Sequence, residues 1–337
     1  MKARNVFALS LTLSMLISML GVFPVGAQTG GVDTHQIPNA GTTSPQTGEY
    51  TPSGASDLTQ AEFPGQLDEE DGSPGPYPGI IVNRSLSNGN GNGVSVNSGK
   101  KAKSNPQFNV GFEGLNLYQQ RYARGGNQFT VEPPDQALCV GGGYVVEAVN
   151  DVLNVFDTSG SSLLPDNTAT NIVSGFPRDV NHAVDLNSFF GYAPAINRST
   201  GVRAQFVTDP SCLYDAATQR FFVVVLTLET NPNGSFTLAN HIDIAVSQTS
   251  DPTGQWNIYR TDVTNDGTSN PDPANACPCL GDYPHIGADA NGFYVTTNAY
   301  PWNGPGFNGA QIYAYSKAQL AEIFRDFQFH LGVFNRK

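Results

Sequence analysis

Basic side chains are scarce: 17 Lys and Arg stand against 29 Asp and Glu, for a net charge of -12. Such a surface repels phosphate backbones and argues against nucleic acid as a partner. Helical periodicity is almost absent, which excludes a helical bundle. After the first 27 residues no stretch is long and apolar enough to span a bilayer, so no transmembrane helix is expected in the processed chain. Cysteines number only four, enough for two disulfides with three ways of pairing them. Cys277 and Cys279 are separated by Pro278 alone, so a bond between them demands a small strained ring. Partners from Cys139 and Cys212 are therefore the favoured reading. Metal ligation by this Cys-Pro-Cys group is disfavoured, because a second close pair is missing.

What is present begins with an export signal. Lys2 and Arg4 precede an apolar run from Val6 to about Val22, and Val25-Gly26-Ala27 supplies a small-residue exit. Residues 1–27 are accordingly expected to be a signal peptide, which places the protein outside the cell or on its surface, where disulfides persist. Loss of Lys2 and Arg4 takes the net charge from -12 to -14. Residues 28–105 are rich in Gly, Ser, Thr, Pro and Asn, and have too little apolar surface to offset the entropy of ordering them. They read as a flexible leader, with one short element at 79–82 (GIIV) able to dock as a strand.

The folded part, expected over 106–325 with a tail at 326–337, repeats itself. Asp135 opens DQALCVGGGYVVEAVN, Asp209 opens DPSCLYDAATQRFFVVVLT, and Asp282 opens DYPHIGADANGFYVTTNA, at offsets of 74 and 73 residues. Each unit runs from a short strand through a tight turn (VGGGY, DAATQRF, DANGF) into a β-rich strand, at 144–149, 221–228 and 293–297. Glycine and the Asp-Ala-Asn-Gly tetrad suit the positive backbone angles of such hairpins. A third strand recurs as VLNVFDTSG, IDIAVSQTSDPTG and QIYAYSKAQL, and QWNIYRTD adds a fourth to the middle unit. A short helix is expected over 317–325. Three sequential units of this kind predict an all-β, propeller-like fold of four-stranded blades. A propeller typically takes 4 to 8 blades, so three imply either blades from a partner chain or a shortened version of a longer protein. The second is the preferred expectation, and open blade edges then favour self-association.

PPDQALCVGGGYVVEAVN, DPSCLYD, IAVSQTSDPTGQWNIY and GDYPHIGADANGFYVTTN together resemble exported microbial β-propeller proteins of the sialidase-like superfamily. The likeness covers roughly residues 127–320. That superfamily carries an Asp-box hairpin of Ser/Thr, Asp, Gly and an aromatic residue. Here Thr249, Asp251 and Trp256 keep its spacing, while Gly254 falls one position late, behind Pro252. These four read as a hairpin staple. A sialidase-type glycoside hydrolase, the alternative reading, implies an arginine cluster, a tyrosine nucleophile with a carboxylate, and an acid/base Asp. Arg178, Arg198, Arg203, Arg220 and Arg260 are available, but the family's Phe-Arg-Ile-Pro start is missing.

Two further groups stand out. Asp135, Asp209 and Asp282 occupy the same place in successive units, so a radial fold brings them to one face of the central channel. They cap loops there or ligate calcium, a hard cation that takes oxygen ligands. Tyr283, His285, Tyr300 and Trp302 lie in or beside the GDYPH loop and the AYPWNGPGFNG insert, where flat rings suit sugars or a protein partner. The favoured function is a non-catalytic binding or surface-interaction protein with a glycan or extracellular protein ligand.

Overall fold

A computed structural model describes residues 37–45, 63–64, 109–123, 128–165, 182–197, 200–267 and 277–322. The expected signal peptide, the 79–82 element, Arg178, Arg198 and the tail lie outside them. The chain is all-β, with several antiparallel sheets, none closed.

Sheet I is a meander of β4 (Gln136–Gly141), β5 (Tyr144–Val149), β6 (Val152–Asp157) and the two-residue β7 (Val184–Asp185). Sheet II runs β8 (Phe206–Asp215), β9 (Arg220–Thr230), β10 (Phe236–Ser247) and β11 (Trp256–Asp262). A fifth strand, β1 (Asn39–Thr43), lies antiparallel along β11. Sheet III has three strands, β12 (Cys279–Ala288), β13 (Gly292–Pro301) and β14 (Gly309–Ser316). A parallel pair, β2 (Phe63–Pro64) with β3 (Val131–Glu132), stands apart. Helices are short: α1 (Leu117–Tyr122), α2 (Leu186–Phe189) and α3 (Lys317–Ala321). Two pieces of the leader, β1 and β2, pair with strands of the folded part, at places where the sequence shows no strand pattern.

Each hairpin has its own turn chemistry. Gly142 and Gly143 join β4 to β5 at φ +59° and +91°, angles that cost a glycine little and other residues much. Asp215 closes the β8–β9 turn by accepting from the Thr218 N–H at 2.9 Å. Asp289 closes the β12–β13 turn by accepting from the N–H groups of Asn291 and Gly292 at 2.8 and 2.6 Å. That third turn therefore rests on side-chain bonds rather than on the positive angles its Asn-Gly suggested.

Alternation explains the stacking. In β9, Phe221, Val223 and Val225 face a core shared with Cys139, Val146, Leu153 and Val155 of sheet I. The intervening Phe222 and Val224 face a second core, shared with Phe293 and Val295 of sheet III, and the Phe222 and Phe293 rings stack at 4.7 Å. Sheet II is buried on both faces, which is why FFVVVL is a continuous apolar run and not an alternating one. Each such side chain contributes about 1.5–3 kcal/mol on burial.

The sheets are also tied together by specific bonds. Buried Asn240 of sheet II donates to the Cys279 carbonyl at 2.7 Å and accepts from the Gly281 N–H at 2.8 Å. At the other end of these sheets, the buried Lys317 ammonium pairs with Asp215 at 2.8 Å and bonds the Asp289 carbonyl. Ser316 caps α3, which ends at Ala321, short of the helix expected to 325.

Both disulfides differ from the expected pairing. Cys139 bonds Cys212, joining β4 to β8, and Cys277 bonds Cys279. The Cα separations, 5.4 and 5.3 Å, lie inside the ordinary disulfide range. One intervening residue suffices for Cys277–Cys279 because the chain bends at Pro278, bringing the flanking Cα atoms to 5.3 Å where an extended chain would hold them about 6.5–7 Å apart. No helix among the described residues is long and apolar enough to cross a membrane.

Candidate functional site

The first strands of the three sheets, β4, β8 and β12, run beside one another, and this brings the repeated aspartates together. In β8 the ladder slips between Thr208 and Ser211; in β12 it slips between Asp282 and His285. Pro210 and Pro284 lie in these slips, where a residue without an N–H cannot complete the ladder. Asp209 and Tyr283, the residues before the prolines, both sit at φ +50°. Asp209 and Asp282 are buried, at 6% and 4% exposure, while Asp135 is half-buried.

The Asp209 and Asp282 carboxyl groups are in hydrogen-bond contact, with Asp135 close enough for its charge to act on Asp209. Burial is the largest influence on Asp209 and the charge of Asp135 the second, and together they push its carboxyl up to about 7. Hydrogen bonds involving Thr208, Asp282 and the Tyr283 N–H oppose that rise; the Thr208 hydroxyl donates at 2.9 Å. Two carboxylates this close do not both ionise easily, and the Asp209 carboxyl is the one held up. Among the described residues no group of three or more His, Cys, Asp or Glu side chains is arranged to hold a metal ion. Nor does the contact between these two carboxyls leave space for a glycosidic bond, which needs its two acids about 5 Å or more apart.

The four aromatic and histidine candidates divide into two pairs of places. Tyr283 and His285 meet each other edge to face at 4.5 Å on β12. Tyr300 and Trp302 end β13, where the Trp302 N–H donates to the Pro278 carbonyl at 2.9 Å. The Trp302 ring lies 5.8 Å from Phe236 of sheet II, and Tyr300 lies 5.7 Å from Phe307. Phe307 is 57% exposed. Buried Trp302 Nε1 has no hydrogen-bond partner. Half-buried Phe236, Tyr300 and Trp302 and the exposed Phe307 ring gather at one end of sheets II and III, the Phe236–Trp302 and Tyr300–Phe307 pairs tilted by 42° and 58°.

The Thr249–Trp256 turn is built as a staple. Asp251 accepts from the Thr253 N–H and hydroxyl at 2.9 and 2.8 Å, and the Gly254 N–H donates to the Asp251 carbonyl. Trp256 Nε1 donates to the Pro252 carbonyl at 2.9 Å, while its ring is buried edge to face against Phe189 at 5.5 Å.

One polar network escaped the sequence reading. Asp243, fully buried in β10, accepts from Arg260 Nε at 2.8 Å, the Tyr192 hydroxyl at 2.6 Å and the Thr227 hydroxyl at 2.7 Å. His241 Nε2 lies 2.6 Å from the same tyrosine oxygen, and its Nδ1 lies 3.6 Å from Glu229. The Arg260 guanidinium covers the Tyr192 ring at 4.4 Å. A signal was available: HIDIAV alternates His241 and Asp243 with isoleucines in a strand buried on both sides. Tyr192 itself sits in the 165–205 insert, where no pattern marks it. Burial, followed by the Asp243 charge, pushes the Tyr192 phenol far above its ordinary value. The phenol therefore stays protonated at rest and donates to the Asp243 carboxylate. Tyr192→Phe is expected to cost about 1.5–3 kcal/mol, the range for a bond to a charged group. Urea titration measures this, and a loss below about 0.5 kcal/mol rules out a structural role for the bond.

Comparisons with protein-family models and with curated proteins find no match.

Proposed function

We propose that this chain is an exported, non-catalytic binding protein, built as part of a β-propeller of the sialidase-like kind, and that its ligand is a glycan. The observation that carries the reading is the aromatic surface of Tyr300, Trp302 and Phe307 beside Phe236. Flat rings exposed on one side offer apolar area to the face of a sugar, and burying that area is favourable. Export is supported by residues 1–27 and by two disulfides, which persist in oxidising compartments. A propeller is supported by three successive antiparallel sheets whose first strands run together. Against hydrolysis by the Asp209 and Asp282 pair stands the mutual contact of their carboxyls.

A glycan array followed by calorimetric titration of the hits tests the proposal. Phe307→Ala is expected to weaken the best ligand roughly tenfold, equal to about 1.4 kcal/mol, with unfolding unchanged because the ring is exposed. Retention of full affinity in both Phe307→Ala and Trp302→Ala sinks the aromatic site. Turnover of fluorogenic sialosides by the native chain sinks the non-catalytic reading.

A further inference from the structure

Left alone, β11 would be a hazard. It is seven residues long, WNIYRTD, and as the last strand of its meander it would present a row of unpaired N–H and C=O groups. The chain covers that edge with β1. Asn39 stands opposite Tyr259, Gly41 opposite Ile258, Thr42 opposite Asn257 and Thr43 opposite Trp256. The covering strand has the character of a bound peptide. Its central residues, Ala40 to Thr42, are exposed, so its own side chains bury little. Two features flank this main-chain pairing: Ile37 packs against the core of Tyr259 and Val263, and Ser44 is 4% exposed. Gly41 adopts φ +145°, with open space where a Cβ would stand, so backbone conformation and not crowding selects glycine.

We propose that the β11 edge is a strand-accepting site whose ligand is this chain's own segment Ile37–Ser44, taken in cis at low concentration and from a second copy at high concentration. Strand addition of this kind draws affinity from main-chain bonds and selectivity from a few pockets. Every copy carries both halves, ligand and edge, which is the condition for exchange between identical chains. Thr43 and Phe63 are only 20 positions apart, and Phe63 is itself paired to Val131. Pairing within one chain acts at an effective concentration on the order of millimolar. Cis pairing therefore dominates in micromolar solution, and exchange appears as the protein is concentrated.

Cysteine trapping in the full chain tests this. Thr42→Cys with Asn257→Cys in one chain is expected to cross-link internally under mild oxidation, because these positions are opposite one another. Chains carrying only Thr42→Cys, mixed with chains carrying only Asn257→Cys, are expected to give a heterodimer that rises at least tenfold between micromolar and millimolar protein. Adding Ile37→Asp to the Thr42→Cys chain is expected to abolish both products. The proposal is overturned if the doubly substituted chain fails to cross-link. It is overturned equally if no heterodimer forms at millimolar concentration, or if Thr42→Cys traps Thr261→Cys, which is out of register, as well as it traps Asn257→Cys.

Discussion

Trp256→Ala is expected to lower the unfolding free energy by about 3–5 kcal/mol, the range for removing a fully buried large aromatic side chain. The indole is completely buried in the core between sheets I and II and lies against Phe189. Its removal opens a cavity that β11, held between β10 and β1, is poorly placed to fill. It also leaves the Pro252 carbonyl without the Nε1 donor. For a folded unit of this size each kcal/mol moves Tm by roughly 2–4 °C, so a fall of roughly 6–20 °C is expected. Trp256→Phe keeps most of the volume and loses only the bond and part of the ring; a cost of roughly 1–3 kcal/mol is expected. Guanidinium titration of the three proteins measures both. Equal stability of the alanine variant and the native chain would mean that this ring is not a wedge between the sheets.

Asp209→Asn is expected to change how stability depends on pH. The folded carboxyl titrates at about 7 against an ordinary 3.8. Its folded-state affinity for a proton is raised, so between these values the native state holds a proton that the unfolded chain has released. Stability from this group is present at low pH and is lost as pH rises from about 4 to about 7. At about 1.36 kcal/mol per pKa unit the loss is on the order of a few kcal/mol. Asparagine cannot ionise, and its amide can still bond Asp282. The variant is therefore expected to be more stable than the native chain at pH 8, with the difference shrinking or reversing at pH 4.5. Urea titrations across that range decide it. If the difference between the two proteins is constant with pH, the Asp209 carboxyl is not held above its ordinary range in the native state.

Much of the scaffold is readable in the residues because period-two alternation and turn chemistry are local. The strand at 144–149 lies where its apolar pattern and the Gly-Gly turn put it, and FFVVVL reports burial on both faces. The 74- and 73-residue echo locates three first strands and so brings their aspartates together, although Asp209 and Asp282 lie at the ladder slips inside β8 and β12 and not at the strand starts, where loop caps are expected. Other features depend on nonlocal partners. β1 has no alternation because its main chain does the pairing. The Cys277–Cys279 bond depends on a local bend of the backbone that brings the two Cα atoms to 5.3 Å. Tyr192 is placed by an insert whose course no repeat predicts, and only the buried parity of His241 and Asp243 hints that something polar must cover them.

The seam between sheets II and III is fixed at both ends, by Asn240 against Cys279 and Gly281 and by Lys317 against Asp215 and Asp289. Phe236 and Trp302 belong to opposite sides of that seam. Gly281 closes it further: a methyl group there would meet the Val263 side chain at 2.6 Å. Sheets pinned in this way cannot slide or open like jaws, so the two rings hold their spacing before anything arrives. On the proposed reading, a glycan of matching width meets a surface already held in place and gives up little free energy to ordering it. Selectivity by width would then rest on Asn240 and Lys317, which stand outside the proposed aromatic site.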